Sequence, residues 1–336
     1  IVSWDYGPLE SMDDKIVPFV NSGFDFIVAP GVSCWSRIYP DMQRATINIY
    51  SYLRDGYKHK AIGFINTTWD DSGQNLFGNN WYSLTWGADC GWNAPLDEEL
   101  NQSKITREHR IAAFNLAYNH VYFGTDNPVI EVLLKISDMR NGAVKNCLSD
   151  AALWSPLLPD YNLIDTNYEW ENLLLIKKID SLQLEVAKLR PCYGSNTTEY
   201  ELLPLALRQA RLVANKNLLG IQLRKYISGN TNRDISYFAK DFKELSDSIN
   251  AIKPAYGKLW KAENRNWWLH SVYANYDRFA QNLQDLKGVC IIKALDTLVN
   301  GKREIRLRSA FNNLPVYYTT DGSTPSQASQ LYTHPI

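Results

Sequence analysis

At 336 residues, with 45% hydrophobic and 21% charged side chains, the chain is long enough to bury two or more cores. Its 35 basic and 36 acidic residues are interspersed, for a formal net charge of −1, which leaves no electrostatic footprint for nucleic acid or an anionic membrane. Five cysteines without metal or disulfide spacing (34, 90, 147, 192, 290) and five unpaired histidines (59, 109, 120, 270, 334) argue against a metal centre, no cofactor is expected, and no run of eighteen apolar residues offers a membrane-spanning segment.

Along residues 1 to 97, short apolar runs alternate with amphipathic stretches. Ile1 to Trp4 reads as a strand, Met12 to Ser22 as a helix, Asp25 to Ala29 as a buried strand, Asp41 to Asp55 as a helix, Ala61 to Asn66 as a strand and Asn80 to Cys90 as a helix. Strand–helix alternation of this kind predicts parallel strands joined by crossovers. Three such units cannot close a barrel, which takes eight and roughly 250 residues. The expectation is therefore either an open sheet or a barrel whose remainder, like any secretory leader, lies ahead of Ile1.

From 98 to 288 the period becomes helical. Ile105, Ile111, Phe114, Ala117 and Val121 recur at spacings of three, four and six; Val129-Ile130 with Leu133-Leu134, and Leu173 to Leu175 with Ile179, Leu182 and Leu184, continue the pattern. Further helices are predicted at 199–224, 235–252 and 257–286, punctuated by Pro128, Pro156, Pro159, Pro191 and Gly229-Asn230. From 289 to 336 the texture is β: Glu304 to Arg308 alternates, and Val316 to Thr320 runs into Asp321-Gly322, a tight-turn signal. This last stretch is short for an independent sandwich and is expected to be incomplete or to lean on the helices.

Two stretches carry a resemblance to a known family. Ile1 to Gly7, Asn21 to Pro30 and Ala61 to Asp71 resemble, in order, spacing and terminal residues, strands six, seven and eight of the catalytic barrel of family-20 glycoside hydrolases, the β-N-acetylhexosaminidases. Val316-Tyr317-Tyr318-Thr319-Thr320-Asp321-Gly322-Ser323-Thr324-Pro325 resembles a motif of the β-domain appended to chitobiases and hexosaminidases. Between them, Trp260-x-x-Glu263-Asn264-Arg265-x-x-Trp268-Leu269 is similar to a helical stretch of bacterial members, and by itself reads as a packed helix with an internal ion pair. The resemblance implies the last three βα units of a (β/α)8 TIM barrel (1–97), a helical domain (98–288) and a β-domain (289–336).

Barrel enzymes place their sites at the carboxyl ends of the strands, which singles out Trp4, Asp5, Tyr6, the 31–35 segment and Thr67 to Asp71. Indoles stack on sugar rings and carboxylates accept strong hydrogen bonds from hydroxyls, so Trp4, Trp35, Trp69 and Asp71 are the principal substrate-binding candidates. By resemblance, Trp69 walls the terminal N-acetylhexosamine and Asp71 accepts from its O4 or O6 hydroxyl. The bland alternative is a strand-end tryptophan beside a helix-capping acid, and for Asp5 a capped turn before Gly7-Pro8. Where the family has a tyrosine for the acetamide, this chain reads Gly31-Val32-Ser33-Cys34-Trp35, leaving Tyr6 and Tyr39 as substitutes, with Asp70 a weaker site candidate.

Family-20 catalysis is substrate-assisted: the acetamide oxygen attacks the anomeric carbon, an Asp orients it and a Glu protonates the leaving oxygen. That Asp-Glu pair follows strand four, so no catalytic residue is expected in this chain, and neither Asp13-Asp14 nor Asp70-Asp71 is a substitute. The implied function is part of an exo-acting β-N-acetylhexosaminidase. The implied partners are a glycan ending in N-acetylglucosamine or N-acetylgalactosamine and the remaining barrel half, in a secreted, periplasmic or cell-surface setting. The alternatives are a non-catalytic carbohydrate-binding protein and another barrel glycosidase for N-acetylated sugars. The sequons at Asn66, Asn101 and Asn196 carry little weight.

Overall fold

The computed structural model of the chain describes residues 1–94, 106–157, 169–227, 234, 236–288, 292–309 and 315–336. The boundary expected after residue 97, and Ile105, Asn101, Pro159, Gly229-Asn230 and Cys290, lie outside them. The described chain is mostly helical, with small sheets.

Strand β1 (Val2–Trp4) pairs in parallel with β2 (Ile27–Ala29), Ser3 opposite Val28. Residues 62–67 extend the ribbon on the other side of β2 through parallel bridges Val28–Phe64 and Gly31–Thr67. The ribbon is open, and among the described residues no closed barrel is formed. Its crossovers are α1 (Asp13–Ser22) and α2 (Met42–Lys58), followed by a 3-10 turn (Phe77–Asn80) and α3 (Trp81–Trp92).

Local chemistry explains these elements. Met12, preceding α1, has no side-chain cap, and Asp55 of α2 takes its place by accepting from the Met12 N–H at 2.7 Å and the Ser11 hydroxyl at 3.1 Å. Helix α2 caps itself: Asp41 accepts from the Arg44 N–H at 3.0 Å. Ser3 and Val28 face the helices and are buried, the Ser3 hydroxyl lying 2.9 Å from the Lys15 carbonyl and 3.2 Å from the Tyr52 hydroxyl.

The remaining helices are α4 (Arg107–Phe123), α5 (Val129–Asp138), α6 (Asp150–Trp154), α7 (Glu169–Leu189), α8 (Thr197–Ile227), α9 (Ser236–Glu263) and α10 (Leu269–Gly288). Helix α8 packs between α7 and α9, α9 packs on α10, and α5 joins this array to α2. One contiguous core runs through all of them. Buried Lys216 is satisfied at the end of α6, its ammonium 3.1 Å from the Leu153 carbonyl and 2.9 Å from the Ser155 carbonyl.

Two expectations fail here. The break expected between 252 and 257 does not occur, and α9 continues through Pro254. A mid-helix proline forfeits a hydrogen bond, but Ile249, Ile252, Tyr256, Leu259 and Trp260 bury one continuous face across it. Gly257 serves close packing, since a Cβ there would land on the Tyr273 hydroxyl of α10. The second failure is Ala117 and Val121, expected on the apolar face of α4: they point outward, Val121 being 83% exposed, while Phe114 and Tyr118 make the contact.

The carboxy-terminal unit is a hairpin of β3 (Ile292–Val299) and β4 (Lys302–Ser309), with a short pair β5 (Tyr317–Tyr318) and β6 (Gln330–Leu331). Ile305 and Ile336 exchange backbone hydrogen bonds at 2.9 and 3.0 Å, and the Tyr226 hydroxyl of α8 donates to the Ile292 carbonyl, so the unit does lean on the helices.

Candidate functional site

Because the three parallel segments run the same way, the loops leaving their carboxyl ends gather on one side. There they enclose a concave space of about 750 Å³, a size suited to a small ligand. Its floor is the ribbon face turned away from the helices: Val2, Ala29, Ile65 and Thr67. Trp4, Tyr6, Trp35 and Trp69 form the walls, and Asp71 supplies the carboxylate.

Tyr6 is the hub of the rim. Its ring lies 5.6 Å from Trp4 and 4.8 Å from Trp35, centroid to centroid, and its hydroxyl accepts the Trp69 indole N–H. The ring presses on the backbone at residue 31, where a Cβ would meet it at 2.8 Å, so only glycine fits. Thr67, 3.4 Å from the same hydroxyl, gives its proton to the Pro30 carbonyl at 2.9 Å. With its proton on the Pro30 carbonyl, the Thr67 oxygen is itself an acceptor within reach of the Tyr6 O–H, which can turn to it or to a ligand in the concavity.

Loop three, after residue 67, is held from both sides. The Cys34 thiol, pushed up to about 12 by burial and by nearby Asp70 and so neutral, donates to the Trp69 carbonyl at 3.1 Å. Asp70 turns inward and accepts from the Asn75 N–H at 3.2 Å. Burial raises its carboxyl above the usual range, against the opposing pull of the Asn75, Gln74 and Gly73 N–H groups. From the helical array, the Tyr256 hydroxyl donates to the Gln74 carbonyl at 2.8 Å, and the Glu263 carboxylate accepts from the Gly78 N–H at 3.0 Å. Burial raises Glu263 as well, opposed by the Gly78 and Phe77 N–H groups.

The structure thus brings Trp4, Trp35, Trp69, Asp71 and Tyr6 around one space and leaves three weaker candidates outside it. Asp5 caps the turn, accepting from the Gly7 N–H at 2.6 Å and pairing with Lys15 at 2.9 Å; partial burial would raise its carboxyl, but these partners hold it low. Tyr39 is 2% exposed among core side chains, and burial drives its hydroxyl well above the ordinary range. Asp70 shapes the loop. The Glu263 stretch is packed, as the residues suggest, but its carboxylate takes backbone N–H groups of loop three in place of the expected internal ion pair. Tyr256 is therefore a site-shaping residue that sequence reasoning missed, and Glu263, singled out in its motif, has a partner that the motif did not foretell.

Residues 297–336 match the family model of the chitobiase/beta-hexosaminidase C-terminal domain. No curated protein matches the chain. That carboxy-terminal segment is thus similar to a domain of chitobiases and β-hexosaminidases, which is consistent with a glycoside-hydrolase-like protein.

Proposed function

We propose that this chain supplies the sugar-holding rim of a family-20-like β-N-acetylhexosaminidase, acting on terminal β-linked N-acetylglucosamine or N-acetylgalactosamine. The observation that carries this reading is the convergence of four aromatic side chains and one carboxylate at the carboxyl ends of three parallel segments. In this reading 1–97 are the last three βα units of a (β/α)8 barrel, 98–288 a helical domain and 289–336 the appended β-domain. Trp69 and Trp4 offer apolar platforms for the ring, Asp71 accepts from ring hydroxyls, and Tyr6 donates to an acceptor such as an acetamide carbonyl. Chemistry would be substrate-assisted, with the Asp-Glu pair on polypeptide ahead of Ile1, in a secreted, periplasmic or cell-surface protein.

A second reading is a non-catalytic carbohydrate-binding protein, supported by the predominantly aromatic lining of the concavity, whose acid among the described residues is Asp71. Calorimetry of the chain with N-acetylglucosamine, and assay of the complete protein on an aryl N-acetyl-β-glucosaminide, separate the two. Binding with hydrolysis supports the first, binding without hydrolysis the second, and absence of both overturns them. An aromatic platform contributes on the order of 1.5 kcal/mol, so Trp69→Ala is expected to weaken the sugar about tenfold.

A further inference from the structure

The inward side of α2 carries a polar residue where apolar packing alone would suffice to seat the helix. Asn48, fully buried, sits beside the equally buried Ala45, Ile49 and Tyr52. Its amide oxygen accepts from the Gly31 N–H at 3.0 Å, and its amide nitrogen donates to the carbonyls of Asp5 and Gly7, each at 2.9 Å. One turn earlier on the same helix, the Arg44 Nε donates to the Tyr6 carbonyl at 2.9 Å. The three consecutive carbonyls of Asp5, Tyr6 and Gly7 after β1, and the Gly31 N–H after β2, are thus held by two side chains of α2. Among the described residues, no backbone–backbone hydrogen bond links 5–7 with 31–37. Gly31 is also the residue against which the Tyr6 ring lies, so the Asn48 amide brackets Tyr6 on both sides.

We infer that Asn48, assisted by Arg44, is a positioning residue: it sets Tyr6, and through it Trp4 and Trp35, at the angle at which the rim engages a sugar. This rests on the carbohydrate reading for the ligand, not for the geometry. The side-chain type follows from the task. One acceptor and two donors are needed at a single buried point, which an amide provides and a carboxylate does not. Replacing it with an apolar residue strands three backbone groups away from water.

The test labels the full chain with 5-fluorotryptophan and follows the fluorine resonances of Trp4, Trp35 and Trp69, each assigned by its Trp→Phe substitution. Asn48→Ala is compared with Gln209→Leu, which removes another buried amide, one donating to the Tyr276 hydroxyl at 3.0 Å within the helical array. Asn48→Ala is expected to shift the rim resonances and weaken N-acetylglucosamine about tenfold or more, as misplacement of a rim by an ångström does. Gln209→Leu should destabilise without either effect, and Arg44→Met should move the same resonances by less. Rim resonances in Asn48→Ala that stay where they are in Gln209→Leu overturn the assignment. If Asn48→Ala does not fold, Arg44→Met decides on the same resonances. If the unaltered chain fails to bind N-acetylglucosamine, the functional reading falls while the resonances still decide the positioning role.

Discussion

In the array of α7 to α10, apolar stripes close on one another: Leu182, Leu207, Phe238 and Tyr276 are sealed from solvent, and even the Gln209 amide finds a partner there. The parallel ribbon closes on one side only. Ser3 and Val28 are buried against the helices, whereas Val2, Trp4 and Ile65 on the opposite face remain exposed. At about 25 cal/mol per Å² of apolar surface buried, the array draws its stability from tight packing. Among the described residues, the ribbon forgoes that gain over its concave face.

The difference predicts where mutations hurt. The largest effect belongs to the array: Phe238 is fully buried and meets the Tyr226 ring at 5.4 Å, so Phe238→Ala is expected to cost about 3–5 kcal/mol. Urea unfolding measures it. A loss below about 1 kcal/mol would mean that the array is loosely packed, and the comparison would break.

Glu263 couples the two regions, and its effect is intermediate. Glu263→Ala removes the acceptor for the Gly78 and Phe77 N–H groups, an expected loss of about 1–3 kcal/mol, with loop three loosened. Glu263→Gln keeps an acceptor oxygen and removes the buried charge, so it should match the unaltered chain most closely at low pH and become the more stable of the two as pH rises. Burial raises the folded-state pKa of Glu263 above the ordinary 4.5. Its contribution to stability is therefore fully present below that ordinary value and declines as pH rises through the folded value. Subtracting the unfolding free energies of Glu263→Gln from those of the unaltered chain between pH 4 and 7 isolates this decline. A flat difference would show that the carboxyl is not perturbed.

How much of this was legible in sequence follows the same divide. Most of the strand and helix order in residues 1–94 could be read because apolar runs and amphipathic periods are local, although the expected strand Ala61 to Asn66 forms only isolated bridges at Phe64 and Thr67; that Trp4, Trp35, Trp69 and Asp71 would lie near one another could be read because strand ends are recognisable. Tyr39 misled because a tyrosine shortly after a strand looks available, yet the chain turns it into the core. Tyr256 and the partner of Glu263 were hidden: the groups they hold, at Gln74 and Gly78, lie more than 180 positions away. Asn48 left a faint trace as an amide within an apolar stripe, a pattern that calls for buried partners without naming them. The uninterrupted α9 was missed because Pro254 is a local breaker and the packing that overrides it is tertiary.

The smallest expected effect on stability lies on the ribbon itself. Trp4 is 65% exposed, and its ring lies 5.6 Å from the Tyr6 ring on the rim. Trp4→Ala should therefore change unfolding free energy by no more than about 0.5 kcal/mol, while losing a platform for the sugar ring and weakening N-acetylglucosamine severalfold. Trp4→Phe, which keeps an aromatic face, should recover most of that binding. The informative quantity is the ratio of the two losses. Should Trp4→Ala cost more than about 2 kcal/mol of stability, the concave face would be part of the core, and the ribbon and the array would differ in degree only. A loss confined to binding would mean that the Trp4 indole serves the rim and not the packing of the described residues, because an indole committed to packing could not also present its face to a ligand.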